Sequence, residues 1–281
     1  MAHHLSGAYA AYKKPILDVR PLTMRQHSGE PRQKALGKAL AVLEAVTDQP
    51  QPVGLPDLAV RLDIPRQTLH RVLQQLVDAG LLRRDPVRER YSVGARLARL
   101  SLSALVSRNH GAPVGAILRK LVDDIHETCN IGVLDGLDYI YLERIECDWP
   151  LRIHLEAGNR VPAHCVAGGK LLLAHLSGEE RKRVLKSRKL IARTSHTLTR
   201  ITDLEAEFAK IRADGYATNN QENYDGIVAA AVPITNRAGR VLATVTVHGP
   251  LPRLTLEACR AHVPRLARAA RQVAQTWGLL D

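Results

Sequence analysis

The segment Pro65-Arg66-Gln67-Thr68-Leu69-His70-Arg71-Val72-Leu73-Gln74-Gln75-Leu76 constrains this chain more than any other. Leu69, Val72, Leu73 and Leu76 recur at helical spacing and form one apolar stripe, which must be buried against other elements. Pro65 suits the first position of the helix. Gly80, just beyond Ala79, suits the residue past its end. The preceding sequence supplies two packing partners. Leu36, Leu40, Leu43 and Val46 share a helical face in a segment that opens at Ala35 and is ended by Pro50 and Pro52. A short helix with Leu55, Leu58, Ala59 and Leu62 follows, and Asp63-Ile64 turns tightly into Pro65. Beyond Gly80, Leu81 to Val93 reads as a hairpin with a proline turn and high charge at its tip, Asp85-Pro86-Val87-Arg88-Glu89. Three helices and a basic hairpin predict a winged helix-turn-helix over residues 34–94.

The other side of the Pro65–Leu76 helix carries Arg66, Gln67, His70 and Gln74. In a major groove, arginine bonds two acceptors of guanine and glutamine pairs with adenine. These side chains crowd the N-terminal half of the helix, the end that enters the groove in helix-turn-helix proteins. Thr68 and Arg71 are better placed for phosphates, which fix position rather than sequence. In the hairpin, Arg84 adds charge, and Arg88 and Arg90 lie at or near the tip, within reach of a phosphate or the minor groove. An isolated helix would carry Arg and Gln merely to solvate a face. The tight turn before this one and the basic hairpin after it point to double-stranded DNA.

Charge distribution supports the same partner. The chain has 281 residues and a formal net charge of +12. Residues 1–111 carry +8 of it and residues 112–281 only +4. An excess concentrated in the smaller part is the electrostatic footprint of phosphate binding. Hydrophobic residues at 45% and charged residues at 24% describe a globular protein, and aromatics at 4% leave the cores to aliphatic side chains. No apolar run approaches a membrane span, and residues 1–14 lack a signal-peptide core, so a cytoplasmic protein with no membrane partner is expected. Cys129, Cys147, Cys165 and Cys259 show no CxxC spacing and are expected to be free thiols. His154, His164, Cys165 and His248 have no converging ligand spacing, so neither a metal nor another cofactor is expected.

The organisation follows from periodicity. Residues 1–33 have none and are expected to form a mobile segment. Ala95 to Ser107 is a helix linking two parts, with Leu97, Leu100, Leu102 and Leu105 available for dimer packing. Asn109 to Pro113 breaks the pattern, placing the linker at 95–111 and a second domain at 112–281. That domain mixes elements. Helices are expected at 114–128, 167–176, 178–186, 201–213 and 255–278. Strands are expected in a hairpin over 130–147 turning at Asp135-Gly136, and at 151–155, 216–219, 227–235 and 240–247. The fold class is α+β, an antiparallel sheet with helices against it.

These ordered motifs resemble the IclR family of bacterial transcription regulators from about Lys34 to the C-terminus. In the first domain the likeness lies in Ala39-Leu40-Ala41-Val42-Leu43-Glu44, Leu58-Ala59, Ile64 to Leu73, Gly80-Leu81 and Tyr91-Ser92-Val93-Gly94. In the second it lies in Pro162 to Lys170, Gly215-Tyr216, Glu222, Gly226 and Gly249-Pro250. The resemblance implies a winged helix, a linker helix and a GAF-like effector domain. It also implies dimers or tetramers on palindromic operators near catabolic genes. Ala167-Gly168-Gly169-Lys170 sits where a loop enters a helix, so free N–H groups and the helix dipole favour an anion such as a carboxylate. A start needed only for packing is the other reading. By resemblance, Ala167 and Gly168 meet the effector carboxylate, and Thr246 and His248 lie on a strand that supplies polar groups. Ile153, Val161 and Ile227 form apolar wall, and Cys165 and Glu222 complete the expected site. Asn219 and Ala229 stand where relatives can carry an Asp and a Cys. Their lower polarity favours a larger or partly apolar, even aromatic, acid over a glyoxylate-sized one. Three rival functions are redox sensing through Cys165, if the helix N-terminus lowers its pKa, a small-acid enzyme with a regulatory DNA-binding domain, and a DNA-binding structural module with no ligand. No nucleophile–base pair supports the enzyme.

Overall fold

The computed structural model describes residues 35–49, 51–108, 113–150 and 155–281. The expected mobile segment 1–33 and most of the break at Asn109–Pro113 lie outside them. So do Ile153 and His154, with most of the expected strand at 151–155. The side chains of Leu102 and Leu105 are also outside them. The chain divides into two compact units, Met1–Ala98 and Arg99–Asp281, within one helix.

The first unit contains α1 (Ala35–Thr47), β1 (Val53–Gly54), α2 (Leu55–Leu62), α3 (Arg66–Asp78), β2 (Leu82–Arg84) and β3 (Arg90–Val93). Val42, Leu58, Leu69, Leu73, Leu76 and Tyr91 meet in its core. Leu69, Val72, Leu73 and Leu76 are the stripe read from the sequence, but α1 buries Val42, Ala45 and Val46 and leaves Leu36 and Leu40 of its expected face exposed. Pro65 caps α3 from outside instead of occupying its first turn. Asp63 ends α2 in the left-handed conformation, φ +50°, which makes the turn between the helices tight. The hairpin has a third strand that the sequence reading missed. Val53 and Gly54 pair with Tyr91 and Arg90, giving the order β1-β3-β2. Gly94 is fixed by close approach, since a Cβ there would stand 2.3 Å from the Gly80 carbonyl oxygen. Helix α4 (Ala95–Arg108) leads out of this unit.

The second unit is a six-stranded antiparallel sheet in the order β6-β5-β4-β9-β8-β7. Its strands are β4 (Thr128–Asp135), β5 (Asp138–Ile145), β6 (Arg160–Pro162), β7 (Ala217–Asn220), β8 (Ile227–Thr235) and β9 (Val241–Pro250). Gly136 opens the two-residue β4–β5 loop at φ +60°, which glycine adopts freely. One sheet face is covered by α5 (Pro113–Ile125) and α9 (Leu256–Thr276). Leu118, Ile131, Leu142, Val232, Val245, Val247 and Leu266 belong to that layer. The other face is covered by α6 (Ala167–His175), α7 (Gly178–Leu185) and α8 (Ile201–Asp214), with Tyr139, Leu171, Leu173 and Phe208 in the layer. Strand β6 and the 3₁₀ turn Ala163–Cys165 after it are short, and no periodicity announced them. Leu155 belongs to no strand. Helix α6 is buried from Ala167 to Ala174, so its first turn opens inside the domain.

Candidate functional site

The first candidate surface is the outer face of α3. Arg66, Gln67, His70, Arg71 and Gln74 are exposed and Thr68 is half-buried, while Leu69, Val72, Leu73 and Leu76 anchor the opposite side. Gln74 already donates to Asp78 at 2.8 Å. The wing is held by its own acids. Asp85 accepts from the backbone of Val87 at 2.9 Å and Arg88 at 3.1 Å, and these bonds hold its carboxyl below the ordinary range. Arg84 pairs with Glu89 at 2.6 Å, and Arg90 donates to the Pro52 carbonyl at 3.0 Å. Arg90 is therefore no tip residue but fastens β3 beside β1. Arg88 is exposed at the tip, without an ion pair among the described residues. Arg66, Gln67, His70 and Arg71 on the helix and Arg88 on the wing are exposed, and none of them is in an ion pair among the described residues. Arg84 and Arg90 are held by their partners.

The second candidate is a cavity of about 40 Å³ between the sheet and the start of α6. Its polar wall is Asn130, Tyr139, Asn219, Asn223, Thr246 and His248, and Leu155, Val166, Ala167, Gly168, Ile227, Ala229, Tyr141 and Tyr224 complete it. The alternation of β4 and β9 puts Asn130, Thr246 and His248 on one face, while Cys129, Val245 and Val247 point into the opposite layer. The Tyr139 hydroxyl lies 2.9 Å from Thr244 Oγ1 and donates to Asn130 Oδ1 at 3.1 Å. The Asn130 amide lies 3.3 Å from His248 Nδ1, and Arg144 approaches His248 Nε2 at 3.1 Å. Burial and the Arg144 charge push His248 down to about 3, so it is a neutral imidazole at physiological pH. Burial likewise pushes Tyr139 up to about 12. The polar side of the cavity wall is thus uncharged, and Leu155, Val166, Ala167, Ile227 and Ala229 make the rest of it apolar.

Of the expected effector residues, the structure brings Ala167, Gly168, Asn219, Ile227, Ala229, Thr246 and His248 to this cavity. It does not bring three others. Val161 is buried opposite Tyr139 in the β5–β6 pairing. Cys165 is fully buried, and its thiol donates to the Pro162 carbonyl at 3.3 Å and to Asn223 Oδ1 at 3.4 Å. Burial and the Glu222 carboxylate push that thiol up to about 12, the reverse of the lowering that redox sensing requires. Cys165 is accordingly expected to resist iodoacetamide in the native protein near neutral pH. Mass spectrometry of labelled protein checks this, and fast native labelling would revive the redox reading.

Glu222 faces Lys170, at 2.6 Å, and not the cavity. Lys170 is buried on α6 and also meets Glu207 at 3.0 Å. Burial pushes the Glu222 carboxyl up while the Lys170 ammonium pulls it back. The segment after β7 is tied down further. Asn219 donates to the Cys165 carbonyl in a short hydrogen bond and accepts from the Glu222 backbone at 3.2 Å. Thr194 and Thr197 donate to the carbonyls of Gln221 at 2.7 Å and Glu222 at 2.6 Å. This fastening holds Asn223 and Tyr224 at the cavity edge.

The glycines of α6 have a packing reason. A Cβ on Gly168 would stand 2.7 Å from Thr244 Oγ1 and from the Tyr139 ring. One on Gly169 would stand 2.3 Å from the Ala163 carbonyl oxygen. Yet Val166, the residue before the helix, offers no side-chain cap, so the first-turn N–H groups beside the cavity have no capping side chain. Sequence reasoning missed Asn130, Tyr139, Tyr141, Asn223 and Tyr224. The available signal was Asn130, a lone amide within the apolar run Cys129 to Leu134.

Comparison with known proteins identifies both units. Residues 35–86 match the model of the IclR helix-turn-helix domain, and residues 103–275 match that of the bacterial transcriptional regulator IclR C-terminal domain. A Cupriavidus necator protein named probable transcriptional regulator SauR is 39% identical over 240 residues, covering 85% of this chain and 95% of its own length. The crystal structure of Thermotoga maritima IclR is 25% identical with a TM-score of 0.54, covering 88% of this chain and all of that one. A Microbacterium hydrocarbonoxydans IclR homologue, solved in complex with 4-hydroxybenzoate, is 25% identical with a TM-score of 0.54, covering 86% of this chain and 98% of that one. The family models together span both units, and the chain belongs to the IclR family of DNA-binding bacterial transcriptional regulators.

Proposed function

We propose that this regulator binds a palindromic operator as a dimer or tetramer and changes its grip when a carboxylate effector enters the cavity beside α6. The observation that carries the proposal is the uncapped first turn of α6, which opens into a buried wall of neutral donors and acceptors. The N–H groups and dipole of that turn stabilise an anion where water is scarce. Among the described residues, no carboxylate lines the cavity to repel it. The 4-hydroxybenzoate bound by the Microbacterium homologue is a partly apolar aromatic carboxylate, the type favoured by Asn219 and Ala229. A ring needs more than about 40 Å³, so Leu155 and Tyr224 must give way as it enters. On this reading the protein acts in the cytoplasm, on DNA, and performs no catalysis.

Isothermal titration against a panel of keto acids and hydroxybenzoates, with operator footprinting in parallel, tests the scheme. Micromolar binding of a larger acid that alters the footprint is the expected result. Tight binding of glyoxylate-sized acids alone would sink the size argument, and a footprint indifferent to every bound acid would sink the regulatory one. Exposed Leu36 and Leu40 on α1 and Leu100 on α4 supply apolar surface for self-association. A monomer in light scattering that holds one half-site at full affinity would contradict it. On the DNA side, Arg66→Ala is expected to weaken operator binding about 5- to 150-fold, roughly 1–3 kcal/mol, with relaxed preference at one base position. Arg88→Ala should weaken all duplexes alike. Electrophoretic shifts on an operator base-substitution series measure both.

A further inference from the structure

The second unit carries a charged surface that the effector reading does not use. Helix α9 presents Arg260, Arg265, Arg268 and Arg271 to solvent, all exposed. At about 100° per residue they span roughly 140° of the helix, and at about 1.5 Å per residue they run roughly 16 Å along it. Between them lie Ala261 and Pro264, and just beyond them Gln272, Gln275 and Thr276, all exposed, which are small groups or hydrogen-bonding side chains. From Ala258 to Thr276 the helix has no acid, and Glu257 sits in its first turn.

Arg119, Arg183 and Arg193 are also exposed and without an ion pair among the described residues, and Arg260 shares a groove with Glu207 and Asp214, but on this helix Arg265, Arg268 and Arg271 stand together. Elsewhere in the unit Arg160, Arg181, Arg188, Arg200, Arg237 and Arg253 each pair with a carboxylate. Among the described residues none of the four on α9 does, and Arg265 instead meets His262 Nδ1 at 3.0 Å. A two-fold contact between copies through this face would set arginine against arginine, because the same patch meets itself. The face therefore suits a partner that is densely anionic, donor-accepting and smooth enough to lie along a helix. The partner such a chain meets is the DNA backbone, with one negative charge per about 1.7 Å of duplex axis.

We propose that the outer face of α9 is a second, sequence-independent contact surface for duplex DNA, separate from the winged helix. The test uses the full chain and a long duplex without operator sequence, titrated by fluorescence anisotropy between about 50 and 200 mM salt. R265Q/R268Q/R271Q is expected to lower the slope of log K against log[salt] by about 2 to 3, at about 0.9 per phosphate contact. The same drop should appear in a chain already carrying R66A and R88A, since the two surfaces are distinct. R265K/R268K/R271K should keep most of the slope, because a phosphate contact needs only the charge. An unchanged slope in the glutamine variant would overturn the proposal and leave the stripe to solvent or an acidic protein. So would a lysine variant that loses slope as the glutamine one does, since shape and not charge would then be responsible.

Discussion

Lys170→Met is expected to destabilise the second unit by about 3–5 kcal/mol, because it strands the buried Glu222 carboxylate next to an apolar side chain. For a domain of this size that lowers the melting temperature by roughly 6–20 °C, measurable by circular dichroism. The loss should grow with pH. Without the ammonium, burial and the Glu207 carboxylate, opposed only by the Asn220 backbone hydrogen bond, raise the folded-state pKa of Glu222 further above the unfolded one. The folded variant then holds a proton that the unfolded chain releases. Its stability is greatest below the ordinary glutamate range and falls as pH rises towards the folded-state pKa. K170M/E222Q should remove that pH dependence and recover part of the stability. A K170M protein that melted like the parent would mean that the pair is not buried as described. Because Glu222 shares its segment with Asn219 and Asn223, effector affinity should drop in K170M even at temperatures where it stays folded.

Gly169→Ala should cost about 1–3 kcal/mol, since the new methyl group would meet the Ala163 backbone at 2.3–2.7 Å. Backbone cannot turn aside as a side chain can, so α6 must back away from the 3₁₀ turn. Gly115→Ala in α5 gives the opposite sign. Nothing lies within 4 Å of its added methyl, and alanine is the better helix former by up to about 1 kcal/mol. Urea midpoints of the two variants, compared with the parent, should move in opposite directions. Equal shifts would refute the claim that close packing selects glycine at 169.

The first unit was legible because each signal was local. The stripe of Leu69, Val72, Leu73 and Leu76, the tight turn at Asp63 and the arginine-rich hairpin all lie within short windows. What escaped there was β1, two residues whose pairing with Arg90 and Tyr91 spans a long stretch of chain. The roles of Arg84 and Arg90 escaped for the same reason, as their partners are set by hairpin geometry. In the second unit, helix periodicity and the Asp135-Gly136 turn gave most elements. The cavity was harder. It draws on β4, β5, β7, β8, β9, the start of α6 and the segment after β7, and only pairing register brings Asn130, Tyr139 and His248 together. Glu222 and Cys165 fit the family pattern, but their side chains are spent on Lys170, Asn223 and the Pro162 carbonyl.

The alternation along β9 has an evolutionary consequence. Thr244, Thr246 and His248 face the cavity side, whereas Ala243, Val245 and Val247 belong to the layer under α5 and α9. Neighbouring codons therefore answer to different selection. Under the proposed function, changes at the even positions retune which molecule is sensed and leave the opposite layer packed. Changes at the odd positions spend folding margin and leave the chemistry of the wall alone. A lineage adapting to a new nutrient can explore one set while the other stays still, which makes this single strand a ready place for specificity to diverge without loss of the fold.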